Sequence, residues 1–232
     1  MLKNAAGNKP LVTIIAASVI MLLSQLTMQQ MINYVFPNFY GNAGMQTVAT
    51  ITMSLGMLVA AGVAKPLAVR YGKAEISGVS NIIAGIGSLI LFFIRPENVW
   101  VYIGFQTVSW IGLGVFSMVS WALITDVIDY SEIKNGIRED GTVYALYSFA
   151  RKLGQAASSG VSGALLTFIG YSEETAFEKS VVDGIFNIST LVPAVGFTVL
   201  GLILLFIYPL GKKQVLENIE VLKKKHKKSE EE

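Results

Sequence analysis

Six long apolar stretches alternate with short polar ones, at residues 11–35, 45–64, 76–94, 99–125, 142–169 and 185–208. A helix needs about 20 mostly apolar residues to cross the hydrocarbon core of a bilayer, so the pattern predicts six transmembrane helices. Within them the polar residues are not scattered. In the first, Ser18, Gln25, Gln29 and Asn33 share one face, a stripe that either hydrogen-bonds neighbouring helices or lines a cavity. The second is rich in small residues, from Thr47, Thr50 and Ser54 to Gly56, Ala60, Ala61 and Gly62, which predicts close helix packing. The third carries Gly78, Gly85 and Gly87 and reads as packing too.

In the fourth, Gln106, Trp110, Ser117 and Trp121 share a face. A flat ring beside hydrogen-bonding groups suits a pyranose, whose CH groups stack while its hydroxyls need partners; the alternative is helix packing. Trp121, close to the inner interface, reads as part of an aromatic belt, as do Trp100 and Tyr102 at the outer one. The fifth is the most polar: Tyr144, Ser148, Arg151, Lys152, Gln155, Ser159 and Ser162 fall within roughly 100° of one another. Its Lys152 sits roughly 16 Å in from Gly141 at helical rise. A cation carried that far usually faces a bundle interior or a water-filled path, although one of the adjacent pair Arg151 and Lys152 could instead snorkel to the interface. Gly160 and Ala164 form a small-residue pair on another side, expected to pack. In the sixth, Asn187, Thr190, Pro193 and Gly196 permit a kink.

Composition agrees. The chain has 232 residues, 53% hydrophobic and 15% charged, with a mean hydropathy of +0.56, too apolar for a soluble domain. There is no cysteine, hence no disulfide framework, thiolate metal site or cysteine nucleophile, and His226 lies in a lysine-rich tail rather than in a span. Without an intramembrane histidine or a carboxylate inside a predicted span, neither a catalytic site nor a metal site is expected, and the protein is not expected to be an enzyme. The basic tail alone does not make nucleic acid a partner.

Fourteen of the eighteen lysines and arginines fall on one side if the N-terminus is cytoplasmic, while the opposite loops hold only Arg95 and Lys179. The positive-inside rule then puts both termini in the cytoplasm. The domain organisation follows: a cytoplasmic lead at residues 1–10, a six-helix membrane domain at 11–210, and a charged cytoplasmic tail at 211–232, expected to be mobile with lysines that touch anionic lipid. The first span is too long for a signal peptide and reads as retained. The acidic loop at 171–184 reads as a solvated face.

Residues 126–152, DVIDYSEIKNGIREDGTVYALYSFARK, concentrate charge between two apolar stretches. Asp126, Asp129 and Glu132 are spaced by three and stand on one side of a helix end, with Lys134, Arg138, Glu139 and Asp140 following, a pattern that favours a salt-bridge network over acid–base chemistry. Asp126, Asp129, Tyr130, Glu132, Gly136, Arg138, Gly141 and Tyr144 also match the loop between the tenth and eleventh helices of the glycoside-pentoside-hexuronide:cation symporters of the major facilitator superfamily, and Lys152 matches that family's eleventh-helix lysine. The basic turn at 65–73, KPLAVRYGK, resembles a loop that recurs in each half of such proteins.

The resemblance covers essentially the whole chain but only the second half of the family's protein. It implies an all-α membrane protein with six helices, half of a major facilitator fold, multi-pass in the cell (inner) membrane. The implied function is the C-terminal half of a secondary transporter carrying a sugar or glycoside in symport with Na+ or H+. The candidate substrate-binding residues are Lys152, Ser148, Tyr147, Gln155, Trp110, Gln106 and Gln25; the candidate gating residues are Asp126, Asp129, Tyr130, Glu132, Arg138 and Asp140. No cofactor is implied beyond a coupling Na+ or H+ in the full assembly. In the family the cation-binding aspartates lie on the second helix of the first half, whereas the second helix here has no carboxylate. The expected partners are therefore the substrate, the lipid bilayer, and either a missing N-terminal half or a homodimer mate. The alternative is a transport-incompetent half that pairs with or regulates a partner half or a full-length relative.

Overall fold

The computed structural model describes residues 7–230. Lys3 of the lead, the last two residues of the tail, and the side chains of His226 and Lys228 lie outside what is described.

The described chain is helical, with no strand among its residues. Helix α1, Lys9–Tyr34, starts where Asn8 Oδ1 accepts from Leu11 N at 3.1 Å and Pro10 occupies the first turn, where its missing donor does no harm. It ends in a π turn, Val35–Phe39. Helices α2, Met45–Tyr71, and α3, Lys73–Ile94, are separated only by Gly72, whose φ of 109° is open to glycine and strained for other residues. Helix α4, Val99–Asn135, starts under an Asn98 side-chain cap and stops at Gly136. Helix α5, Asp140–Phe168, helix α6, Lys179–Leu202, with a closing π turn at Ile203–Ile207, and helix α7, Lys212–Glu230, complete the chain.

Five of these, α1, α2, α3, α4 and α6, are long and apolar enough to cross a membrane. The exception among the six predicted spans is α5; its 29 residues reach about 43 Å, but Arg151, Lys152 and a run of serines and glycines lower its hydropathy. Several helices also outrun their apolar stretches. α2 continues to Tyr71, and α4 to Asn135, so Asp126, Asp129 and Glu132 lie on one continuous helix, in its last turns as expected.

Contacts between particular residues fix how the helices run. Ser18 meets Tyr147 and Thr27 meets Ser162, so α1 and α5 are parallel; Gly56 faces Thr107 and Gly114 faces Ala60, so α2 and α4 are parallel. Gly78 and Gly85 face Gly201 and Ala194, so α3 and α6 are antiparallel. α3 and α6 form a back wall, α4 packs on α3, α1 packs on α6, and α2 and α5 sit outermost, on α4 and α1 respectively. The front thus runs α2–α4–α1–α5.

Small residues set these approaches because lipid tails are as apolar as leucine, and only close packing favours one helix neighbour over lipid. The expected packing role holds for Gly78, Gly85 and Gly87, but not for Gly160, which has nothing within 4 Å of where a Cβ would stand, nor for Ala164, which is exposed. On α2 the small residues divide: Gly56 and Ala60 pack on α4, whereas Thr50, Ser54, Ala61 and Gly62 are exposed.

The end opposite the basic turns is closed by aromatic packing. Tyr102 is not in an interfacial belt; it is buried among Phe36, Tyr40 and Phe186, while Trp100 is exposed. The 171–184 loop is not purely solvated either: Asp183 accepts from Arg95 at 2.7 Å, and Asn187 also accepts from that arginine. Arg95 ends α3 at φ 43°, a left-handed conformation unusual for a side chain of its size, and its partners on α6 hold it there.

The tail expected to be mobile is helix α7. Its lysine-rich composition hides an inward row, Val215, Asn218 and Leu222, and its first turn is held where Lys212 N donates to Glu75 Oε1 at 2.7 Å.

A Cβ at Gly201 would stand 2.7 Å from the Gly78 carbonyl oxygen, so Gly201→Ala should push α3 and α6 apart and destabilise the fold by about 1–3 kcal/mol. Gly160→Ala meets no atoms and should stabilise α5 by up to about 1 kcal/mol through helix propensity. Thermal denaturation in detergent distinguishes the two, and a stable Gly201→Ala protein would refute the assigned approach.

Candidate functional site

The front face carries two polar groupings, at different heights. Towards the aromatic end, α1, α2 and α4 enclose a cavity of about 580 Å³ lined by Gln29, Ile32, Asn33, Thr50, Met53, Ser54, Met57, Leu58 and Trp110. Trp110 is buried, and its indole N–H has no partner among the described residues. A buried donor left unpaired is costly, so this wall suits a ligand or water that can accept from it. Gln29, Asn33, Thr50 and Ser54 add amide and hydroxyl groups around the ring.

Nearer the basic end lies the second grouping. The Tyr147 hydroxyl is 2.9 Å from Ser18 Oγ, and Arg151 Nη1 donates to it at 3.3 Å. Trp121 stands edge-on to Tyr147 at 5.3 Å between centroids, with Tyr144 at 6.1 Å, and the Arg151 guanidinium lies 5.9 Å from the Trp121 ring. Lys152 Nζ donates to Gln155 Oε1 at 3.1 Å, one turn along its own helix.

The predicted substrate-binding residues are therefore distributed unevenly. Trp110 lines the cavity, and Tyr147, Lys152 and Gln155 stand in or beside the second grouping, with Ser148 exposed on the same flank of α5. Gln25 is half-buried on α1 between the two groupings. Gln106 is elsewhere: fully buried, it donates to the Tyr102 hydroxyl at 3.0 Å and towards the Ser189 carbonyl, within the α4–α6 packing. Two residues escaped the sequence reading. Trp121 is the ring beside Arg151, and Arg151 is the cation that reaches a neighbouring helix, through that ring. The clue to Arg151 was its i, i+4 spacing from Tyr147.

At the basic end, buried Asp126 accepts from Lys73 Nζ at 2.6 Å, and Lys73 also donates to the Ala122 carbonyl. Arg138 donates to Asp129 at 2.8 Å, Glu132 at 3.0 Å and Asp140 at 3.1 Å, joining the end of α4 to the start of α5. These carboxylates, Asp129 and Glu132 foremost, raise the Arg138 pKa further above its ordinary value, so its charge is permanent. Tyr130 is partly buried beside them, with the Lys134 ammonium 5.9 Å from its ring.

A family model described as MFS/sugar transport protein matches residues 1–212, and the chain belongs to that family, whose members are transporters and not enzymes. It is 27% identical over 225 residues to a Bacillus subtilis (strain 168) protein named uncharacterized symporter YjmB, an overlap of 97% of this chain and 49% of the relative. It is 27% identical to the glucuronide carrier protein homolog of Escherichia coli (strain K12), over 93% of this chain and 47% of that protein. It is 30% identical to the isoprimeverose transporter of Lactiplantibacillus pentosus, over 88% and 43% respectively. The chain thus spans about half the length of the curated relatives it matches, and with its apolar helices it is a multi-pass membrane protein.

Replacing Lys73 by Met strands the buried Asp126 carboxylate and should cost about 3 kcal/mol of stability. Adding Asp126→Asn should restore most of it. A double mutant as unstable as the two single losses combined would show that the pair does not act as a unit.

Proposed function

We propose that the chain forms one six-helix half of a secondary transporter in the cell (inner) membrane, with α5 spanning the bilayer as its fifth helix and both termini cytoplasmic. It carries a sugar or glycoside in symport with Na+ or H+ by alternating access. One observation carries this reading: the α2–α4–α1–α5 front gathers a cavity lined by Trp110, whose indole N–H is unpartnered, and two cations on a face that this chain leaves uncovered. Such groups do not face lipid, so a second half covers them and the substrate lies between. The names of the glucuronide carrier homolog and the isoprimeverose transporter support a sugar or glycoside as cargo.

In this reading Trp110 offers a stacking surface, Lys152, Ser148, Tyr147 and Gln155 form the opposite wall, and Gln25 lies between. The ion pairs of Asp126, Asp129, Glu132 and Asp140 hold the inner ends of α3, α4 and α5 together with Tyr130, and gate the cytoplasmic side. The coupling cation is held by the complementary half, because α2 has no carboxylate to offer.

The same uncovered face supports a second reading, in which the chain pairs with or regulates another half or a full-length relative without transporting by itself. Vesicles containing the chain with a complementary half should accumulate labelled sugar under an imposed Na+ or H+ gradient, and Lys152→Ala should abolish uptake without reducing membrane insertion. Uptake indifferent to both gradients would eliminate symport. Co-purification with a relative, without uptake in any pairing, would favour the second reading.

A further inference from the structure

Three cations that join helices of this bundle are matched to acids. Lys73, Arg95 and Arg138 each meet a carboxylate, at 2.6, 2.7 and 2.8 Å. Arg151 and Lys152 do not: among the described residues their hydrogen bonds go only to the Tyr147 hydroxyl and to Gln155 Oε1. Arg151 lies eleven residues past the start of α5, roughly 16 Å along the helix, a depth at which an uncompensated cation is costly.

The Arg151 side chain is also oriented. Its guanidinium lies 5.7 Å from the Tyr147 ring and 5.9 Å from the Trp121 ring, and the Tyr147 hydroxyl that receives one of its N–H groups is itself held by Ser18 of α1. Only one of five guanidinium donors is used, so an N–H fork remains for a planar acceptor. Lys152, next in sequence, is drawn by Gln155 towards the same polar flank and has two of its three donors unused. Trp121, 46% exposed, presents ring surface beside the fork.

We propose that Arg151, with Lys152 beside it, is an anion subsite for the carboxylate or sulfonate of a sugar acid, and that the cargo is an acidic sugar and not a neutral glycoside. This rests on the transporter reading above and adds the chemical class of its substrate. A guanidinium is the side chain suited to it, because its fork matches two acceptor oxygens of one acid group while an ammonium meets them as a point charge. The aromatic edges beside it favour a sugar over a bare carboxylate supplied by another protein segment, because they give pyranose CH groups a surface to cover.

The test is equilibrium binding to the full 232-residue chain in nanodiscs, alone and with a complementary half, by calorimetry and tryptophan fluorescence. The probes share one ring and differ at C6: methyl β-glucuronide, its 6-sulfonate counterpart and methyl β-glucoside. At least one acid should bind on the order of tenfold more tightly than the neutral glycoside, and salt should shrink the advantage. Arg151→Gln should bring the ratio close to one, Arg151→Lys should leave part of it, and the control Lys213→Gln on α7 should leave all of it. Equal binding of the acidic and neutral probes, or a preference that survives Arg151→Gln, overturns the anion subsite and leaves the transporter reading standing. Failure of all three probes to bind in either preparation overturns the transporter reading itself.

Discussion

The close approach of α3 and α6 is the constraint on which the remaining structure depends. Gly78, Gly85 and Gly201 allow backbone to meet backbone, and in a bilayer that contact replaces the hydrophobic effect as the reason for two helices to stay together. α4 repeats the device against α3, with Gly112 lying on the Ser80 carbonyl, and α1 against α6, with Ser24 lying on Gly196. With α1 and α4 held from behind, their polar residues are left on the sides facing forward. The cavity and the arginine cluster are consequences of a wall that contributes no residue to either.

Electrostatics then divides the molecule by height. At the basic end the carboxylates of α4 are neutralised by Lys73 and Arg138 from neighbouring segments, and α7 is tied down through Glu75. On the transporter reading, opening that end separates charges already paired, one of them buried, which favours two discrete positions over a flexible mouth. At mid-height the balance reverses, and α5 brings positive charge that no acid meets among the described residues. The two heights share α4 and α5, so a rigid movement of either helix at the network also moves Trp121 or Arg151.

The helices themselves were legible, because apolar length and small-residue placement are local properties of the chain. The extensions were not: α2 to Tyr71 and α4 to Asn135 carry polar and charged residues whose helical state depends on pairing with other segments, such as Asp126 with Lys73. The tail misled for the opposite reason, since its lysines mask the few apolar positions that dock it. In the site, a stripe on α5 was readable from spacing, but its direction was not. Lys152 and Arg151 differ by about 100° around the helix, and only the positions of Ser18 and Trp121 show that Arg151 is the one gripped by neighbours. Gln106 and Trp110 share a helical face in sequence, yet the first enters the α4–α6 packing and the second lines the cavity, because that face straddles the edge between core and front.

The polarity that keeps α5 from matching a typical span is itself informative. Its inward ridge, Val143, Tyr147, Gly154, Ser158 and Ser162, is a single line of residues against α1, and most of the remaining surface is exposed. A helix held along one line, with Arg151 and Lys152 on an uncovered flank, is a poor lipid-facing element and a good interfacial one. The same holds for the Thr50 and Ser54 side of α2 at the other edge of the front. Both edges present polar side chains on exposed surface, and the chain is about half the length of its relatives. On the transporter reading these facts have one cause: the front is an interior surface, whose polar groups are tolerated because a second half and a substrate lie against it.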